Sequence, residues 1–216
     1  MLAYCPLDLP RVDVDEELVN ALVDYYNPGH HDNIWETLPL VGRVKKQEDF
    51  SDSVKFEEAW EIRYSDKGEV LYNERVKDKL KPIFDQLELL PMQVTHAQLL
   101  RATKNVPKHH DMKHKKNAFI NDLPKDSYEP GGWKIQLNKT NQKSFYVCKS
   151  WQSDPDYIQI PKETNTFVIN EKSFPHGSDY VEDKIIVSIF GLVYQKEADA
   201  LIEKSLEKYL DYSISY

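Results

Sequence analysis

The stretch VPKHHDMKHK, residues 106 to 115, sets three histidines and an aspartate within ten positions. On an extended segment, residues two apart face the same side. His109 and Asp111 therefore form a His-x-Asp pair able to grip one cation. A third nitrogen donor is available at His176, where the apolar run in FVINEKSFPHGSD ends. Two imidazoles and one carboxylate occupy one face of an octahedral iron(II) and leave three positions open. A bidentate 2-oxo acid fills two of them and dioxygen the third. A tetrahedral set richer in nitrogen or sulfur suits zinc better. Lys184 follows His176 by eight positions, and Ser188 lies four further on. On a strand, Lys184, Ile186 and Ser188 share a face, so an ammonium and a hydroxyl stand ready for the far carboxylate of such a ligand.

The sequence offers competitors to this set. GHHDN at 29 to 33 repeats the motif with His30 and Asp32, but it follows a helix stop, precedes every strand candidate and has no evident third partner. It reads as a polar loop. His110 and His114 have the spacing of a zinc pair on a helix, which Pro107 and the flanking strands oppose. Lys104, Lys108, Lys113, Lys115 and Lys116 surround the cluster and read as a solvated charge run, or as a rim that attracts an acidic substrate.

Positioning side chains so far apart in the chain requires a scaffold of strands. EELVNALVDYY, 16 to 26, has helical spacing at Leu18, Ala21, Leu22 and Tyr25 and is stopped by Asn27, Pro28 and Gly29. A second amphipathic helix is expected over 74 to 89, with Val76, Leu80, Ile83, Phe84 and Leu87 on one face and Asn73 as its N-cap. From residue 92 the pattern becomes one of strands: MQVTHAQLLRAT, NAFINDL, GWKIQLN, SFYVCKSW, DYIQIP, NTFVINE and KIIVSIFGLVY, separated by turn signals such as PGG and SDPD. Seven short strands at this spacing predict a sandwich or barrel. A C-terminal helix presents Ala198, Leu201, Ile202, Ser205 and Tyr209 on one face. The expected architecture is a single domain over 1–216, mainly β with flanking helices. It divides into a helical or irregular extension over 1–91, a β core over 92–194 and a helix over 195–216.

Composition narrows the function classes. The chain has 216 residues, is 40% apolar and carries a net charge of −8, which argues against a nucleic-acid-coating protein. The N-terminal sequence lacks the basic-then-apolar order of a signal peptide, and no apolar run is long enough to span a bilayer. Two cysteines without metal spacing fit a reducing, cytoplasmic setting.

Residues 92 to 194 resemble the 2-oxoglutarate- and iron(II)-dependent oxygenases, specifically the prolyl hydroxylase-like members. GGWKIQL, 131 to 137, is similar to their Gly-Gly-plus-strand element, and IPKETNTFVINEKSFPHGS to their stretch leading into the distal histidine. The resemblance implies a double-stranded β-helix of the jelly-roll or cupin-like kind. It implies metal binding by His109, Asp111 and His176, and a 2-oxoglutarate anchor at Lys184 and Ser188, with Asn121 lining the same pocket. The implied partners are iron(II), 2-oxoglutarate, dioxygen and, as accessory reductant, ascorbate. The implied activity is hydroxylation of a small-molecule or peptidyl side chain, with no role for nucleic acid or membrane. Two departures stand out. The anchor is Lys where Arg is commoner, and its distance from His176 is one residue short. Asp111 speaks against a halogenase, which needs that coordination position for halide. A cupin-like barrel acting as a non-catalytic binding module is the alternative reading, and a zinc hydrolase a third. Trp133 reads as a core residue or a substrate flank, and the segment 120 to 131, with the stretch NDLPKDSYEPGG, as a surface loop or a lid.

Overall fold

The structure is a computed structural model that describes residues 1–27, 35–44, 50, 69–110, 132–137, 145–171, 173–179 and 184–216. His30 and Asp32, Asp111, His114, the strand expected over 117–123, Asn121 and the segment 120–131 lie outside the described residues.

Twelve described strands build two antiparallel sheets. In chain order they are β1 (Leu2–Pro6), β2 (Trp35–Val44), β3 (Glu69–Tyr72), β4 (Met92–Ala102), β5 (Val106–His109), β6 (Trp133–Gln136), β7 (Phe145–Val147), β8 (Asp156–Tyr157), β9 (Thr166–Ile169), β10 (His176–Ser178), β11 (Ile185–Val193) and β12 (Ile214–Ser215). The larger sheet runs β12-β1-β9-β6-β11-β4-β2-β3 and the smaller β5-β10-β7-β8. From β4 to β11 the described strands pass back and forth between the two sheets, β4, β6, β9 and β11 in one and β5, β7, β8 and β10 in the other, with the β7–β8 hairpin kept within the smaller sheet. That interleaving is the double-stranded β-helix.

The sequence period explains the layering. In β11, Ile185, Val187 and Ile189 join the cluster packed under the helices, while Ile186 joins the cluster between the sheets. In β6, Trp133 and Ile135 face the helices. In β9, Val168 does so, whereas Phe167 and Ile169 face the small sheet. The large sheet is thus buried on both faces, and its strands read as near-continuous apolar runs. Trp133 is a core residue.

Helices cover the outer face: α1 (Glu16–Tyr26), α2 (Glu74–Lys77), α3 (Lys81–Glu88) and α4 (Gln195–Tyr209). Three expectations need correction. The single helix over 74 to 89 is two helices, because Pro82 enters at the start of α3 and its ring is tolerated only in a first turn. Asn73 does cap α2, accepting from Arg75 N. The buried face of α1 is Val19, Leu22, Val23 and Tyr26, and Tyr25 is exposed. The stretch 1–91 is not only helical and irregular: β1, β2 and β3 extend the large sheet on both sides of the barrel strands. β2 escaped notice because Pro39 and Gly42 interrupt its apolar pattern. The chain tolerates both there, with a register shift between Pro39 and Val41.

Candidate metal and co-substrate site

The small sheet brings the two histidines together. His109 ends β5 and His176 begins β10, and the antiparallel register pairs them directly. Their ring centroids are 4.3 Å apart. Each Nδ1 lies near the carbonyl two residues earlier in its own chain: His109 on Pro107 O at 2.8 Å, His176 on Phe174 O at 3.3 Å. A carbonyl only accepts, so both Nδ1 atoms carry the proton and donate it. With Nδ1 protonated, Nε2 is the nitrogen of each ring that carries the lone pair, in the arrangement by which outer contacts orient metal-binding imidazoles. Burial pushes His176 down to about 4, against a weaker opposing effect of Glu171, so this imidazole is neutral at physiological pH and fit to ligate. Among the described residues no third histidine, cysteine or carboxylate completes a metal set. Asp111, two residues beyond His109, is the group expected to do so.

Both histidines line a cavity of about 330 Å³ between the sheets, together with Gln98, Lys134, Phe145, Glu171 and Ser188. Ser188 projects from the middle of β11 and is 4% exposed. Lys184 immediately precedes β11 and is 1% exposed. Its ammonium donates to Ser178 Oγ and stands 3.3 Å from the centre of the Phe145 ring, itself a cavity wall. Among the described residues no carboxylate lies within ion-pair distance of it. Burial, reinforced by nearby Lys134, holds the Lys184 ammonium well below the usual lysine range. A buried cation without a counter-ion is costly, and an incoming carboxylate relieves that cost.

Lys134 and Glu171 are site residues that motif reasoning passed over. Lys134 sits opposite Ser188 in the β6–β11 register and makes a 2.7 Å ion pair with Glu171. The signal was present in GWKIQL: with Trp133 and Ile135 facing the helices, strand alternation sends Lys134 to the cavity. Elsewhere, Lys108 donates to the carbonyls of Trp151 and Ser153, and His110 packs edge-on against Trp151. Lys108 thus belongs to a local surface contact.

The fold and the paired imidazoles define a double-stranded β-helix with a nitrogen donor pair in its cavity wall. Among solved structures, the fold is similar to that of a 2OG-Fe(II) oxygenase family oxidoreductase from Burkholderia pseudomallei, at 12% identity and a TM-score of 0.41 over 82% of this chain and 77% of that one. It is also similar to a prolyl-4-hydroxylase from Pseudomonas putida, at 10% identity and a TM-score of 0.35 over 89% and 94%. A third is the ribosomal oxygenase YcfD from Escherichia coli, solved with cobalt and 2-oxoglutarate, at 10% identity and a TM-score of 0.34 over 94% and 52%. No family model and no curated protein matches the sequence.

Proposed function

We propose that the protein is an iron(II)- and 2-oxoglutarate-dependent dioxygenase that hydroxylates an amino-acid or peptidyl side chain. The observation that carries this reading is the pairing of two imidazoles in one cavity wall, with a buried lysine packed against Phe145, another wall of that cavity. Iron(II) held there would supply the oxidising chemistry, coupled to conversion of 2-oxoglutarate and dioxygen to succinate and carbon dioxide. His109, Asp111 and His176 hold the cation. Lys184 takes the far carboxylate of the co-substrate as a point charge, Ser188 adds a hydroxyl contact, and Asn121 completes the pocket. The packed aromatic and aliphatic wall of Phe145, Leu100 and Ile186 excludes water from the methylene segment. Ascorbate serves as accessory reductant. Cys5 and Cys148 are both buried and free, which fits the cytoplasmic setting proposed here, and no described helix is long and apolar enough to cross a membrane.

The test is anaerobic addition of 2-oxoglutarate to the iron(II)-loaded protein, followed by exposure to air. The expected result is a weak visible charge-transfer band, then succinate formation that His176→Ala abolishes. Absence of both the band and calorimetric binding of 2-oxoglutarate would overturn the assignment.

A further inference from the structure

The large sheet turns a polar row into the cavity. Gln98, Ser188 and Lys134 stand on adjacent strands β4, β11 and β6 in direct register, and all three line the cavity. Lys134 is 7% exposed and Glu171 3%. Glu171 comes from the loop between β9 and β10, and its two oxygens do different work. Oε1 holds the Lys134 ammonium at 2.7 Å and lies 3.8 Å from His176 Nε2. Oε2 accepts from Gly132 N at 3.1 Å. Gly132 is required for this seat, because a Cβ there would collide with the Glu171 carboxylate. A complete ion pair is thus built into the cavity wall beside the distal imidazole. Such a pair contributes little to stability, since desolvation offsets the attraction. The co-substrate does not require it either, because the proposed anchor for its far carboxylate is Lys184, which has no carboxylate within ion-pair distance among the described residues.

We infer that Lys134 and Glu171 bind the charged head of a free amino acid, its carboxylate on Lys134 and its ammonium on Glu171. This rests on the oxygenase reading of the same cavity and narrows its substrate from amino-acid or peptidyl side chains to free amino acids. A zwitterion brings one charge of each sign, so entering the pair exchanges one internal contact for two intermolecular ones with no change in net buried charge. A lone amine or a lone acid would add an uncompensated charge to a poorly solvated wall, at substantial cost. A residue within a peptide has neither head charge and draws nothing from the pair. Ser188 and Gln98, next in the row, offer a hydroxyl and an amide to polar atoms beyond the head. Because Glu171 Oε1 lies so near His176 Nε2, an ammonium seated there places the carbons beside it next to the metal position.

The experiment titrates the iron(II)-loaded protein anaerobically with each of the twenty common L-amino acids, by calorimetry, with and without 2-oxoglutarate. Any that bind are then compared with their N-acetyl and C-amide derivatives. The expected result is binding of at least one free amino acid, with both blocked forms weaker by about tenfold or more. The double variant K134M/E171Q removes both charges together and keeps an acceptor for Gly132 N. It is expected to fold, to retain 2-oxoglutarate binding and to lose amino-acid affinity by about tenfold or more. The inference is overturned if no free amino acid binds, if blocked and free forms bind equally, or if the double variant keeps its amino-acid affinity. Loss of 2-oxoglutarate affinity in a folded double variant would also overturn it, by assigning the pair to the co-substrate. Should that variant fail to fold, the comparison of free and blocked ligands on the wild type decides alone. Failure of the wild type to bind 2-oxoglutarate removes the oxygenase reading, while the titrations made without co-substrate still judge the amino-acid site.

Discussion

Lys184 is where stability and binding should pull apart. Its ammonium is buried against Ser178 and the Phe145 ring, with no carboxylate in reach among the described residues. Replacing it by Met removes a cation that the folded state accommodates at a cost, so Lys184→Met should melt no lower than the wild type. The same change should weaken 2-oxoglutarate binding by roughly 2 to 5 kcal/mol, the usual loss for one partner of a buried charge pair. Thermal melts and calorimetry check the two halves. A pH prediction follows from the lowered affinity of this lysine for its proton. Folded, ligand-free protein holds the proton less tightly than the unfolded chain does, and a bound carboxylate restores that affinity. Between the free and bound values, binding therefore takes up a proton, and co-substrate affinity falls as pH rises through that window. Calorimetry in two buffers of different ionisation enthalpy should detect the uptake in the wild type and not in Lys184→Met.

At the scale of elements, the barrel strands are held to the helix layer by a charged network. Arg101 on β4 meets Glu36 on β2 at 2.6 Å and Asp24 on α1 at 2.5 Å, and donates to Asn20 at 3.1 Å. Glu36 is buried and Asp24 is exposed, so the two contacts are unequal. Glu36→Ala should cost about 3 kcal/mol by leaving the guanidinium poorly compensated, whereas Asp24→Ala should cost less than about 1 kcal/mol. Chemical denaturation separates them. β11 has its own weak point. The register with β4 slips between Phe190 and Gly191, and a Cβ at 191 would run into the Gln93 carbonyl. The obstacle is backbone, which cannot swing aside, so Gly191→Ala should destabilise by about 1 to 3 kcal/mol and displace the Ser188 end of the site with it.

For the whole molecule, the outer face of the large sheet depends on the C-terminal helix. Ala198, Ser205 and Tyr209 of α4 are buried, Lys204 and Lys208 pair with Asp8, and β12 adds an edge strand to β1. Removing residues 195–216 would bare part of the apolar cluster and the edge of β1 together. The truncated chain is expected to lose cooperative unfolding in circular-dichroism melts and to aggregate.

What the sequence determined by itself was local: strand alternation, helix caps and the residue types that suit a metal and an anion. Those signals marked His109, His176, Lys184 and Ser188, and the seven strands that begin at residue 92, apart from the candidate over 117–123 outside the described residues. They also contained Lys134, whose alternation with Trp133 and Ile135 was readable but which no motif marked. Only the tertiary structure decided that β5 and β10 pair in the register that sets His109 against His176, because strand pairing across 67 positions of chain is a long-range choice that no local pattern encodes. It likewise decided that Glu171, expected at the end of the strand NTFVINE, lies past the end of β9 and turns inward onto Lys134, a seat that Gly132, just before β6, leaves open for a carboxylate.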